Sequence, residues 1–243
     1  MHTNKSVVMI TGAARRLGAI VARSLAEGGH SVVLHVRSID DEARALVRAI
    51  GEGSGNCRLI EGDLTDIALL EDLFGRAVDA FGQVDHLINN ASRFFPLSIE
   101  ETDIQTFDSL MALHNSAPFF LSRSLCLHLK EREASGSVIN ITDATLATPK
   151  ASRPVYYIAK GALLAQTRAL AVALAPHVRV NAISPGPILQ GEGDGSYFNR
   201  MESALPLQRT GNPLDICRAV QYLIEATFVT GTELIVDGGL QLL

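Results

Sequence analysis

The side chains able to do chemistry stand in two places in this chain. In Tyr156-Tyr-Ile-Ala-Lys160 a phenol and an ammonium are one helical turn apart on the same face. A cation beside a phenol stabilises the phenolate. At about 4 Å and an effective dielectric near 20 the attraction is at most about 4 kcal/mol, enough to bring a phenol from about 10 towards 7. There it can exchange protons with a substrate. Upstream, Asp143 supplies a carboxylate whose charge opposes the lysine, raises the phenol and keeps Tyr156 protonated near neutrality as an acid. A serine at position 143 would donate to a carbonyl oxygen; a carboxylate instead suits a heterocycle presenting N–H donors.

The second place is Thr11-Gly-Ala-Ala-Arg-Arg-Leu-Gly18, directly after the first apolar run and at the opening of the first helical pattern. Backbone N–H groups at such a helix start can hold a pyrophosphate, and glycines let the phosphates approach closely. An acid to read a ribose 2′-hydroxyl would fall about 20 residues further on. The chain has Leu34-His-Val-Arg37-Ser38 there. Arg37 and Ser38 suit a 2′-phosphate, with Arg15 as a second positive charge, so NADPH is expected over NADH. Asp40 and Asp41 close by weaken that field.

These residues need a scaffold, and the apolar pattern supplies one. Short runs of Val, Ile and Leu predict strands at Ser6–Thr11, Ser31–Val36, Arg58–Glu61, His86–Asn89, Gly136–Thr142, Arg179–Ser184 and Glu233–Val236. Most are continuous rather than alternating, as expected of strands covered on both faces. Helical patterns lie between them at Gly18–Glu27, Glu42–Ala49, Ala68–Phe81, Ile104–Lys130, Val155–Leu174 and Pro213–Glu225. The expectation is one α/β domain over residues 1–243, a Rossmann-type, doubly wound, seven-stranded parallel sheet with helices on both faces. Gln190–Ser196 is Gly-rich and polar, followed by Tyr197 and Phe198. It reads as a surface loop or as a lid over a pocket, and a substrate lid is expected over 190–203.

Composition narrows the function. With 47% apolar and 19% charged residues the 243-residue chain is too apolar to be disordered. A net charge of −5, aromatics at 5% and no Trp argue against nucleic-acid or anionic-membrane binding. The N-terminal apolar run is too short for a signal peptide, and Gln166 and Arg168 interrupt the richest helical stretch. Cys57, Cys126 and Cys217 are odd in number and widely spaced, which fits neither a disulfide framework nor a zinc site, and the histidines show no metal-binding pair. A reduced, cytoplasmic compartment is expected.

Taken together, the chain resembles the short-chain dehydrogenase/reductase family along essentially its whole length. The matching elements stand in family order: Thr11–Gly18, Asp63, Asn89-Asn90-Ala91, Asn115, Tyr156/Lys160, Ser184-Pro185-Gly186 and Val236-Asp-Gly-Gly239. The resemblance implies that Asp63 contacts adenine, that Asn89 holds the turn near the cofactor ribose and that Lys160 binds the nicotinamide ribose. It also implies that Asn115 fixes the helix carrying a proton-relay water and that Pro185 and Gly186 line the nicotinamide. Gly12, Leu17, Leu64, Ala91 and Ile188 complete the expected cofactor contacts, and a homotetramer is implied.

Arg16 stands where the family turn has its middle glycine, Asp143 where the family has serine, and Asn89-Asn-Ala-Ser-Arg-Phe-Phe-Pro96 replaces the usual Asn-Asn-Ala-Gly. This combination is similar to the pteridine reductase branch. It implies that Arg16 and Ser92 contact the pterin or the cofactor phosphates and that Phe94 stacks on the pterin. The branch often has an extra residue where this chain has His35-Val-Arg37-Ser38. The activity expected is NADPH-dependent reduction of a dihydropterin, with Tyr156 donating the proton. The alternatives are a carbonyl reductase such as a 3-oxoacyl-carrier-protein reductase, and a non-catalytic NADPH-sensing protein.

Overall fold

A computed structural model describes residues 6–53, 55–191 and 195–243. Seven strands, β1 (Val7–Ile10), β2 (Ser31–Val36), β3 (Asn56–Glu61), β4 (His86–Asn89), β5 (Gly136–Ile141), β6 (Val178–Pro185) and β7 (Glu233–Val236), form one sheet. Every pairing is parallel and the order is β3-β2-β1-β4-β5-β6-β7. The direction of winding reverses between β1 and β4, the place where such sheets open a crevice at their carboxyl ends. This is the Rossmann-like α/β fold expected from the sequence.

The continuous apolar runs are explained by two cores, one on each face. Val8, Ile10, Val32, Leu34, Ile139 and Ile183 pack under α1 (Arg16–Glu27), α2 (Asp41–Glu52) and α8 (Pro213–Glu225). Their neighbours Val7, Met9, Val33, Leu87, Val138 and Val180 pack under α3 (Leu70–Asp79), α5 (Ala117–Glu131) and α6 (Pro154–Ala173). Successive residues of one strand therefore feed opposite cores, which period-two side-chain direction requires.

Two helical expectations are refined. The predicted Ile104–Lys130 helix is α4 (Ile104–Met111), a π-helical turn over Ala112–Ser116, and α5. Single π turns of this kind collect at functional sites, and this one carries His114 and Asn115. In the predicted lid, α7 (Gly195–Ala204) is a helix with no buried residue, and residues 192–194 lie outside the described residues. Its sequence has no apolar stripe to announce it, because Tyr197 and Phe198 face the cleft described below.

Candidate active site

The acid–base pair is assembled across the end of β5 and the first turn of α6. Beyond β5, Asp143 starts a 3₁₀ turn over Ala144–Ala147, and its Oδ1 accepts from the Thr145 N–H at 2.7 Å and the Thr145 hydroxyl at 2.6 Å. That fixes the carboxyl group and leaves Oδ2 to accept from the Tyr156 hydroxyl at 2.7 Å. Burial first, then Asp143, pushes the Tyr156 phenol well above its ordinary range. Desolvation, which residue types alone do not reveal, is the larger cause.

Lys160 is 2% exposed, and its Nζ donates to the Ile141 carbonyl at 2.7 Å. Burial lowers it from 10.5 to about 8, against the pull of Asp143. The ammonium sits 6.0 Å from the centre of the Tyr156 ring, without a hydrogen bond to the phenol oxygen. Lys160 therefore does not offset the carboxylate as the one-turn spacing implied; Tyr156 is held as a neutral phenol.

Asn115 lies in the π turn and donates from Nδ2 to the Ala159 carbonyl of α6 at 2.9 Å, while its buried Oδ1 has no partner among the described residues. Next to it, His114 is 1% exposed and turns its ring edge-on to Tyr156, 5.9 Å between centres. Burial lowers His114 to about 3, so the ring is neutral. No sequence signal singled out His114; only the π turn brings it there.

The Gly-rich turn is held more tightly than the sequence suggested. Gly12 has φ +63°, and a Cβ there would lie 2.8 Å from the Ala91 Cα. Asn90, rather than the expected Asn89, holds the turn: its Nδ2 donates to the Thr11 and Gly12 carbonyls, each at 3.0 Å. Asn89 instead donates to Asn140 Oδ1 at 2.8 Å, and Asn140 donates on to Thr167, a buried chain across β4, β5 and α6. His35 adds a second clamp, also unforeseen. Its Nδ1 accepts from the Gly12 N–H at 3.3 Å and its Nε2 donates to the Gly62 carbonyl at 3.0 Å. Burial lowers it to about 4, which keeps the neutral tautomer this geometry needs.

The start of α1 is left open. Helices α2, α4 and α8 are capped by Asp40, Asp103 and Asn212 side chains, whereas α1 has no side-chain cap and no acid in its first turn. Its N–H groups, beside Leu17 and the partly exposed Gly12, fit a pyrophosphate. Gly186 follows β6, and a Cβ there would come within 2.6 Å of the Asp237 Cα. Pro185, Gly186 and Ile188 line the same cleft as Asp143, a fit for the nicotinamide end of a dinucleotide.

At the ribose end the cations are partly occupied. Exposed Arg37 pairs with Asp63 at 3.3 Å, and Arg15 pairs with Asp40 and Glu42 at 2.6 and 2.5 Å. Asp63, beside buried Leu64, also accepts from the Thr65 N–H and hydroxyl, which lower it below the usual carboxylate range. Ser38 is exposed beside Arg37.

The cleft holds about 390 Å³ and is lined by Arg16, Phe94, Asp143, Lys150, Arg153 and Arg200, with Tyr197 and Phe198 of α7 over it. Arg16, Asp143 and Phe94 thus line one cleft. Arg16 occupies φ +50° and donates to the Leu189 carbonyl at 3.3 Å. Phe94 meets Tyr156 edge-on at 4.9 Å, but the Arg153 guanidinium covers one face of its ring at 4.0 Å. Only the other face is left for stacking. Ser92 is exposed beside this loop. A larger, open groove of about 580 Å³ between α1 and α2 carries Arg15 and Glu42 already paired with each other, and no acid–base pair. Among the described residues no helix is long and apolar enough to cross a membrane, and no three metal-ligating side chains converge.

Residues 12–241 match the family described as enoyl-(acyl carrier protein) reductase. The chain belongs to the short-chain dehydrogenase/reductase family of oxidoreductases. Among solved structures it is similar to FolM alternative dihydrofolate reductase 1 of Brucella suis in complex with NADP, with 35% identity, a TM-score of 0.92, and 100% of this chain and 97% of that one covered. The Brucella canis protein, also complexed with NADP, gives 35%, a TM-score of 0.89, and 98% and 95%. L-fucose dehydrogenase of Mus musculus is 34% identical over 97% of this chain and 88% of its own length.

Proposed function

We propose that this protein is an NADPH-dependent reductase of pteridines, converting a dihydropterin to the tetrahydro form. The observation that carries this reading is the 2.7 Å hydrogen bond from Tyr156 to Asp143, whose carboxylate lines a cleft together with Phe94 and Arg16. NADPH, held by the α1 start, Arg37 and Ser38, supplies the hydride when bound. Tyr156, kept protonated by burial and by Asp143, delivers a proton to the ring nitrogen beside the carbon that has been reduced. Asp143 accepts from N–H donors of the heterocycle, a task a serine would perform poorly. Lys160 and Asn115 position α6 and its phenol. The NADP complexes of the Brucella proteins support the cofactor.

A carbonyl reductase is the second reading, favoured by the fucose dehydrogenase relative. Asp143 and Arg16 oppose it. NADPH oxidation measured with dihydrobiopterin, with an acetoacetyl thioester and with no substrate separates these readings. Turnover of the pterin supports the proposal, turnover of the thioester alone supports the second reading, and no turnover with either supports a sensor.

The exposed Phe119, Phe120 and Leu127 of α5 and Ile158 and Val172 of α6 support a homotetramer, to be tested by sedimentation. Three free, buried cysteines support residence in the reduced cytoplasm.

A further inference from the structure

The cleft carries more positive charge than pterin-ring recognition uses. Among the described residues its lining contains four cations, Arg16, Lys150, Arg153 and Arg200, and one acid, Asp143, in a chain whose net charge is −5. Asp143 accepts from Thr145 and Tyr156 and forms no ion pair with any of the four. Among the described residues none of the four cations forms an ion pair; those pairs go to Arg15, Arg37, Arg76, Arg132, Arg168, Arg209 and Arg218. Arg16 and Arg153 have other contacts: Arg16 donates to Leu189 O, and Arg153 lies on Phe94 with its buried Nε lacking a partner.

Lys150 and Arg200 differ. They come from separate elements, the loop before α6 and α7, and both are held against one ring: Lys150 Nζ lies 4.9 Å and Arg200 Cζ 5.8 Å from the centre of Tyr197. A cation on an aromatic face keeps most of its charge available to a further partner. Lys150 and Arg200 are exposed, whereas Asp143 is half-buried and Tyr156 buried, so two cations without an ion pair lie on the solvent side of the acid–base pair and form a field that selects negative charge. The cleft volume of about 390 Å³ falls within the roughly 300–1,000 Å³ usual for sites that enclose a whole small molecule.

We propose that Lys150 and Arg200, flanking Tyr197 at the cleft mouth, form a subsite for an anionic group, carboxylate or phosphate, at the far end of the substrate's side chain. Resting on the pteridine reading, this narrows the substrate class to pterins with a negatively charged tail. Binding of the tail would tie α7 to the loop before α6 across the substrate.

The test is kcat/KM for three dihydropterins: dihydrobiopterin with a neutral side chain, dihydrofolate with a dicarboxylate tail, and dihydroneopterin monophosphate. It is run on the wild type, Lys150→Ala, Arg200→Ala, the double variant and Lys150→Arg. The wild type is expected to favour an anionic substrate, less so as salt rises. The charged-to-neutral ratio should fall about three- to tenfold for each cation removed, and Lys150→Arg should retain it. Whichever anion loses more identifies the ligand as carboxylate or phosphate. A ratio unchanged in the double variant overturns the proposal, as does a change confined to the KM for NADPH. If the wild type reduces no pterin, the pteridine reading fails separately. The subsite is then measured on acetoacetyl-coenzyme A against neutral acetoacetyl-N-acetylcysteamine, where the same fall in ratio supports it and an unchanged ratio overturns it.

Discussion

The Tyr156 hydroxyl donates to Asp143 Oδ2 at 2.7 Å, while Thr145 occupies the other oxygen of the same carboxyl group. The phenol is therefore oriented by a residue of β5's end rather than by Lys160, its neighbour one turn along α6. Tyr156→Phe removes only the transferable proton and one hydrogen bond. It should keep the fold and NADPH binding and lose turnover by about 100-fold or more, the usual size of an acid–base contribution. Turnover within a fewfold of wild type would move the acid elsewhere, Asp143 first.

Lys160 is fully enclosed and lowered to about 8 by that burial. Turnover should therefore decline on the alkaline side as one proton is lost near pH 8, and Lys160→Met should be slower and lack that limb. Because the folded value lies below the ordinary 10.5, burying the charged form costs stability below pH 8, and the cost is relieved as pH rises from 8 towards 10.5. Lys160→Met should consequently melt higher than wild type at pH 7. A limb that persists in this variant would belong to another group.

Histidines depressed by burial set an acid limit, and His86, lowered to about 4, is one of them. His35, lowered to about 4, and His114, lowered to about 3, bind protons more readily unfolded than folded. Their contribution is complete above about 6.5 and is lost as pH falls through 4 and 3. Denaturant melts between pH 7 and 4 should show stability falling, with a shallower fall in His35→Asn. An identical slope would mean that the clamp on Gly12 is not titrating.

Arg16 holds a left-handed backbone that costs a side-chain-bearing residue about 1–2 kcal/mol. Arg16→Gly should raise Tm by about 2–4 °C while lowering kcat/KM for the substrate, which separates the strain from its use. A lower Tm would show that the contact with Leu189 outweighs the strain.

For the cofactor, Arg37→Asp should weaken NADPH far more than NADH, because it exchanges a phosphate partner for a repulsive charge. It also releases Asp63, now 3.3 Å from Arg37, so NADH affinity should change little. Equal loss for both cofactors would show that this loop does not read the 2′-phosphate.

What was legible in the sequence follows a physical division. Continuous apolar runs determined the sheet because parallel strands need two covered faces, and Tyr156, Lys160 and Asp143 stood out because their types are costly to bury. Side-chain direction was not legible. Asn89 and Asn90 are adjacent and alike, and only the strand's alternation sends Asn89 to Asn140 and Asn90 to the Gly-rich turn. His35 and His114 looked like ordinary polar residues, since nothing local reveals that their partners are a turn amide and a phenol ring. Helix α7 escaped because its aromatic residues face a cleft instead of a core.

The carboxylate at position 143 is the residue on which the assignment turns, and exchanging it tests that assignment most directly. The measurement is the ratio of kcat/KM for dihydrobiopterin to that for an acetoacetyl thioester, with NADPH, in the wild type and in Asp143→Ser. We expect the wild type to favour the pterin. We expect the ratio to fall by at least about 100-fold in the variant, because donors of the heterocycle lose their acceptor while a ketone gains a donor. A wild type that favours the thioester, or a ratio unmoved by the exchange, would contradict the pteridine assignment.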